Sequence, residues 1–364
     1  MIDPQIITGI WARCRQWHDA LQQTATATEP QLDCRNFRRD LLTPMNDREL
    51  LQRLALAPSS GTALAQEFGL TRAAVWKHIH TLRCAGIDIL TQPGIGYSLA
   101  APLDLLDAAL IRGELPRTVA EQLDAIEIAW DIDSTNAALL RRPATSRVQV
   151  LLAERQSAGR GRRGRHWASP LAAHLYLSIQ RRFDGGIAAL AGLSIAVGVA
   201  AAEALRALGY TDVGLKWPND LIADGRKLGG ILIEFGGEDA GVVRAVIGIG
   251  INVRMPAHAA DSIDQPWIDL QQLGPTPPSR NTLAAALIAA QVHALREFAE
   301  SGLAPFLPRW RALDALRGRD VEVIVGARRE QGIAQGITDS GALRIRHADG
   351  ERDYHSAEIS VRAR

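Results

Sequence analysis

The sequence predicts an α+β, multi-domain protein with an N-terminal winged helix–turn–helix, a central mixed α/β domain and a small C-terminal β-barrel. Three observations carry that prediction. Two short helical patterns meet at Gly69 and run into a Pro93-Gly-Ile-Gly96 hairpin. Residues 108–314 then alternate apolar strand-like runs with helical patterns. After Gly318 the runs shorten to alternating strands separated by Gly- and Asp-rich turns.

The bulk numbers bound what this chain can be. Its 364 residues exceed one ordinary core. A hydrophobic share of 47% with 22% charged residues excludes disordered and collagen-like classes. The net charge of +1 means that any nucleic-acid contact must come from a local basic surface. Cys14, Cys34 and Cys84 lie far apart and form no C-x-x-C, which argues against a zinc site or a disulfide framework. They read as reduced thiols of a cytoplasmic protein. The apolar run Ile187–Ala202 ends at Glu203, short of the roughly 20 residues a membrane span needs. It is expected to be a buried helix over 188–208. Arg13 and Arg15 interrupt any secretory apolar core.

Residues 1–44 form a polar lead, read either as an extension ahead of a start near Met45 or as a weakly ordered tail. The winged helix–turn–helix is expected over 45–107. Met45 opens a helical pattern carrying Leu50, Leu51, Leu54 and Leu56. Helices follow at Thr62–Phe68 and Thr71–Arg83, with Thr71 as N-cap. Val75, Ile79 and Leu82 line one face of the second helix. Arg72, Lys77, His80 and Arg83 project elsewhere with no acid among them, as a helix entering the major groove requires. A basic solvated helix in a small packing domain is the plainer alternative. Ile87–Leu99 supplies the wing.

In the central domain, strands are expected at Val148–Glu154, Leu175–Gln180, Ile231–Phe235 and Val242–Gly248. Gly159-Arg-Gly-Arg-Arg-Gly-Arg165 formally matches G-x-G-x-x-G, the dinucleotide fingerprint. That fingerprint needs a helix after its third glycine, and His166-Trp-Ala-Ser-Pro170 cannot continue one. The stretch reads instead as a flexible cationic loop. Its glycines allow close backbone approach, and its arginines offer forked donors to carboxylate and phosphate. An RNA-binding Arg/Gly patch is the alternative. In Lys216-Trp-Pro-Asn-Asp220 the lysine can pair with phosphate and Asp220 can hold Mg²⁺, or the two can simply decorate a surface turn. Lys227 immediately precedes an apolar strand, and Asn252 ends another. Asp133-Ser-Thr-Asn136 offers hydroxyl and amide donors at a helix start, where Ser134 equally suits an N-cap. In 315–364, strands are expected at Val321–Val325, Gln331–Ile337, Leu343–His347 and Ile359–Val361.

Taken in order, these blocks closely resemble the signature blocks of biotin–protein ligases. With the wing and the small barrel, the chain resembles the bifunctional bacterial form, the biotin operon repressor, over about residues 46–362. The resemblance implies a ligase domain of the class II synthetase-like type and an SH3-like barrel. It implies that Ser134, Thr135, Asn136 and Gln156 hold the biotin rings, and that Arg160, Gly161 and Arg162 belong to a loop closing over them. Lys227 would contact the biotin carboxylate and the reacting phosphate. Arg165, Lys216, Asn219, Asp220 and Asn252 would serve ATP, with Asp220 near Mg²⁺ and Trp267 over the adenine. Lys227, Arg162 and Arg165 would carry catalysis. His166 stands where relatives commonly have lysine. The implied reaction forms biotinyl-5′-AMP from biotin and ATP, then loads a lysine of the biotin carboxyl carrier protein of acetyl-CoA carboxylase. The adenylate would also act as corepressor, favouring a homodimer on operator DNA, with no membrane involved. A lipoate–protein ligase and a non-catalytic ligand-sensing regulator are the alternatives.

Overall fold

In the computed structural model the chain divides after Pro44, and the described residues belong to the second unit, Met45–Arg364. They are 47–363 apart from 144, 240, 262, 275, 326–327 and 356–358. The polar lead, Cys14, Cys34 and the reading of Met45 as a start lie outside them.

The first three helices are α1 (Asp47–Leu56), α2 (Gly61–Glu67) and α3 (Arg72–Cys84). Side-chain caps set their starts. Ser60 Oγ accepts from Ala63 N at 3.0 Å and Thr71 Oγ1 accepts from Ala74 N at 3.2 Å, which satisfies otherwise unpaired amides. Leu50, Leu51 and Leu54 pack with Leu64, Val75, Ile79 and Leu82. Leu56, at the frayed end of α1, is 83% exposed and leaves the expected stripe. The wing pairs β1 (Ile89–Gln92) with β2 (Gly96–Leu99) antiparallel. Gly96 has φ +105°, and a Cβ there would lie 2.4 Å from Ser59 O, so glycine is demanded twice over.

The central sheet is mixed and seven-stranded. Its strands are β3 (Leu123–Ile132), β4 (Val148–Gln156), β5 (Leu175–Asp184), β6 (Gly214–Lys216), β7 (Asp220–Ala223), β8 (Arg226–Asp239) and β9 (Val242–Ile251). Their order is β3-β4-β5-β9-β8-β7-β6. Only β3 and β4 run parallel. The helix α4 (Thr135–Arg141) follows β3, and α5 (Leu193–Ala207) crosses to β6. Two further helices, α6 (Arg280–Ser301) and α7 (Phe306–Leu313), complete the layer.

The helix expected over 188–208 starts later, at Leu193. Gly192 breaks it, with φ +83° and a Cβ position 2.6 Å from Leu303. The segment 187–207 is long and apolar enough, by length and composition, to cross a membrane. Its α5 part has only 15 residues, though, and 11 of them are buried. At 1.5 Å per residue it is shorter than a ~30 Å hydrocarbon core. It is the core helix of the sheet, packed on α6 and α7.

The winged helix shares part of its hydrophobic core with residues of the central domain. Leu171 belongs to its hydrophobic cluster, with Trp130 and Ala172 packed against it. The connecting segment is pinned by a buried ion pair between Arg280 and Glu154 at 2.7 Å. Glu154 also accepts from Leu106 N, and Arg280 donates to Asp104 O and His174 O.

The C-terminal unit is a five-stranded antiparallel sheet of β10 (Asp320–Val325), β11 (Arg328–Ile337), β12 (Leu343–His347), β13 (Gly350–Tyr354) and β14 (Ile359–Ala363), ordered β13-β12-β11-β10-β14. The sequence led to four strands. The missed one, β13, reads Gly-Glu-Arg-Asp-Tyr at a solvated edge and has no apolar alternation to betray it.

Candidate active site

One cavity of about 690 Å³ opens over β8, β9 and the start of α4. Every residue that the sequence assigned to biotin, ATP or catalysis lines it: Ser134, Thr135, Asn136, Gln156, Arg160, Gly161, Arg162, Arg165, Lys216, Asn219, Asp220, Lys227, Asn252 and Trp267. Glycines make the floor. A Cβ on Gly248 would lie 2.5 Å from Asn136 Oδ1, and one on Gly250 would lie 2.7 Å from the Trp167 indole. The two glycines are the space that these side chains fill.

At one end the donors are neutral. Ser134 caps α4, its Oγ accepting from Ala137 N at 3.4 Å, so the plain capping role is real. Thr135 donates to Gln156 Oε1 through N at 2.9 Å and Oγ1 at 3.1 Å. Asn136 Nδ2 donates to Leu232 O and to Glu234 Oε2 at 2.9 Å. Ser178 Oγ sits 2.7 Å from Thr135 Oγ1 and 2.6 Å from Asn136 Oδ1. The sequence assigned no role to Ser178 or Glu234. A buried serine inside the apolar run of β5 was the available signal, because an unpaired hydroxyl there would be costly. Asp133, from the same motif, binds Arg141 instead. That pairing holds its carboxyl down to about 2.

The arginine-rich loop folds on itself. Arg160 pairs with His166 across a short antiparallel bridge, and Gly161 N donates to Arg165 O at 2.7 Å. A turn at Arg162–Gly164 closes it, with Arg163 at φ 58°. Arg160 reaches Glu234 at 3.2 Å. Arg162 Nη1 donates to Asn219 Oδ1 at 3.2 Å. Burial pushes the Arg162 guanidinium below its ordinary range, as does Arg163 beside it, while Asp220 opposes them.

At the centre, Lys227 Nζ lies 2.8 Å from Asp220 Oδ1, each side chain only 18% exposed. The ammonium also stands 5.5 Å from the Trp167 ring centroid, within cation–π range. Lys227 is fixed through its backbone, donating to Pro266 O and accepting from Ile268 N, which brings Trp267 alongside. The amide of Asn252 holds the same junction by donating to Ile268 O at 3.0 Å, and that of Asn219 donates to Ile231 O at 2.6 Å. Both therefore shape the site through backbone carbonyls.

Three stretches match known domain models: HTH domain over 47–98, Biotin/lipoate A/B protein ligase family over 130–252, and Biotin protein ligase C terminal domain over 318–362. The chain is 45% identical over 305 residues to the bifunctional ligase/repressor BirA of Salmonella typhimurium, covering 84% of this chain and 93% of that one. The chain belongs to the bifunctional biotin ligase/repressor family. Identity to the Escherichia coli protein of the same name is 44% over 305 residues, with the same coverage. The Aquifex aeolicus biotin protein ligase solved with biotin and ATP shares the fold, at TM-score 0.57 and 24% identity, over 66% of this chain and 99% of that one.

At the ligase's other end, α3 carries Arg72, Trp76, Lys77 and His80 on its outward side. Trp76, to which the sequence assigned no role, is 50% exposed and stacks on His80 with centroids 5.4 Å apart. Arg83, expected to face DNA, donates through its guanidinium to Ile89 O at 2.6 and 2.9 Å and to Thr91 Oγ1, which ties α3 to the wing. The last turn of α3 lies directly beside β1, and an unpaired strand-edge carbonyl captures the nearest donor. Cys84 is exposed, with its Sγ 3.6 Å from His80 Nε2.

Proposed function

We propose that this ligase activates biotin on ATP inside the cavity and transfers it to a lysine of a biotin carboxyl carrier protein. The observation that supports this most is the meeting, in one cavity, of neutral donors at one end with Lys227, Asp220 and Arg162 at the centre. Thr135, Asn136 and Gln156 suit an uncharged bicyclic urea, and the cations suit a carboxylate meeting a triphosphate. In the first step a biotin carboxylate oxygen bonds to the α-phosphorus, and the bridging oxygen leaves with pyrophosphate. Lys227, Arg162 and Arg165 offset the repulsion of two anions and the charge that grows in the transition state. In the second, the carrier amine attacks the acyl carbon, and AMP departs with the bonding electrons. A loop already folded as a small hairpin needs little further ordering to exclude water from the adenylate.

Mg²⁺ would arrive as the counter-ion of ATP, and Asp220 is the residue that would hold it. Among the described residues no group of three His, Cys, Asp or Glu is arranged to hold a metal, so no step is assigned to the ion. Biotinyl-5′-AMP would double as corepressor by favouring a homodimer, whose two α3 helices address operator DNA through Arg72, Lys77 and His80. The domain borders proposed are 45–107, 108–314 and 315–364, and the compartment is the cytoplasm, where ATP and carrier meet. Biotin- and ATP-dependent labelling of a carrier domain, with pyrophosphate release followed in parallel, tests the reaction. Labelling that persists in Lys227→Ala and Arg162→Ala would overturn these assignments.

A further inference from the structure

The cavity has a wall that does not come from the ligase domain. Leu316 and Arg319, at the entrance to the C-terminal sheet, line it. Their position follows from backbone pairing. Leu215 on β6 bridges Asp314 in parallel, and Ala315 N donates to Leu215 O at 3.0 Å. Asp314 Oδ1 accepts from Leu316 N, and Arg319 N returns to Leu316 O, which folds the segment into a tight turn. Ala334 N then donates to Arg319 O and locks the turn onto β11. Trp217 Nε1 donates to Gly341 O, a second tie between the same two domains. The outcome is an arginine from one domain that lines the same cavity as Lys216 of the other.

Arg319 differs from the loop arginines that already have partners. Arg160 faces Glu234 and Arg162 faces Asn219. The Arg319 side chain is exposed, and its guanidinium has no hydrogen-bond or ion-pair partner among the described residues. Strand order decides what it would meet. Gln156 lies on β4, Lys227 on β8, Asp220 on β7 and Lys216 on β6. The neutral end of the cavity and the Lys216 edge therefore stand on opposite sides of the Lys227–Asp220 centre. In an in-line displacement the attacking carboxylate and the leaving pyrophosphate also stand on opposite sides of phosphorus. We propose that Arg319 binds the β- and γ-phosphates of ATP, and the pyrophosphate they become. The C-terminal domain would then supply a substrate-binding residue for the first half-reaction alone. This inference rests on the proposed ligase reaction.

The two half-reactions separate cleanly, because only the first contains those phosphates. With the full chain, biotin-dependent exchange of pyrophosphate into ATP reports the first step. Carrier labelling from purified biotinyl-5′-AMP reports the second. Arg319→Ala is expected to raise KM for ATP and the inhibition constant for inorganic pyrophosphate roughly tenfold. KM for biotin and the rate of transfer from preformed adenylate should stay within about twofold, the scatter that context alone introduces. Arg319→Lys, which keeps the charge but loses the fork, should fall between. Arg317→Ala, a neighbour that does not line the cavity, should match wild type. An unchanged KM for ATP in Arg319→Ala would overturn the assignment, as would transfer that falls in step with exchange. A wild-type chain without biotin-dependent exchange would overturn the ligase reaction itself, and this inference with it.

Discussion

Two ion pairs in this molecule have the same chemistry and opposite surroundings. Arg280–Glu154 is closed: its side chains are 3% and 2% exposed, and their remaining donors and acceptors go to Asp104 O, His174 O and Leu106 N. Lys227–Asp220 is open: each side chain is 18% exposed, and both line the cavity. A buried charge is tolerated only when paired and hydrogen-bonded, so the closed pair has nothing left to offer a ligand. The open pair keeps donors and charge that an incoming anion can claim. A paired lysine in a cavity is a candidate for chemistry because its pairing is incomplete.

The comparison can be broken from either side. The largest effect is expected from Glu154→Ala, which strands the Arg280 guanidinium in the interior. A loss of about 3–5 kcal/mol in chemical denaturation is expected, and a loss below about 1 kcal/mol would mean that water or relaxation compensates. Lys227→Ala should do the reverse. The adenylation rate should fall roughly 10²–10³-fold, as for loss of one preorganised charge, while the denaturation midpoint hardly moves. A variant that unfolds instead would erase the distinction.

Acidification probes the closed region next. Burial pushes the His174 imidazole down to about 3, with Arg280 acting in the same direction. Its Nδ1 accepts from Val253 N, which also requires the neutral ring. The unfolded chain binds that proton near pH 6.5. The stability this group contributes is therefore complete above about 6.5 and drains away as pH falls toward 3, by up to about 1.4 kcal/mol per pH unit. Thermal melts between pH 7 and 5 should show the slope, and His174→Gln should flatten it. The smallest effect concerns the winged helix. Arg83→Ala removes three hydrogen bonds that tie α3 to the wing. Stability should drop by about 1 kcal/mol, and operator affinity should weaken less than in Arg72→Ala. Equal losses in a salt-titrated binding assay would return Arg83 to the DNA-facing set.

Much of this is legible in the sequence, wherever the determinant is local. Thr71 announced the start of α3, Gly69 the turn before it, and His166–Pro170 ruled out the helix that a dinucleotide site needs. What escaped was set at long range. Gly192 breaks the apolar run because Leu303 crowds it from more than a hundred residues away. Glu234 joins Asn136 to Arg160, and Ser178 joins Thr135 to Asn136. None of these partnerships leaves a periodicity, since each spans separate elements.

The amino-acid order by itself determined the helix caps, the glycine turns, the order of the motif blocks and their stock of cations and amides, because these depend on backbone preference and residue chemistry within a few positions. Only the tertiary structure decided which charges face a ligand and which are consumed by the fold. It turned Arg83 to a wing carbonyl, sealed Arg280 against Glu154, and brought Arg319 of one domain to the cavity that Lys216 of another also lines. A charge acts on whatever lies within a few ångströms of it, and that neighbourhood exists only once distant segments have packed together.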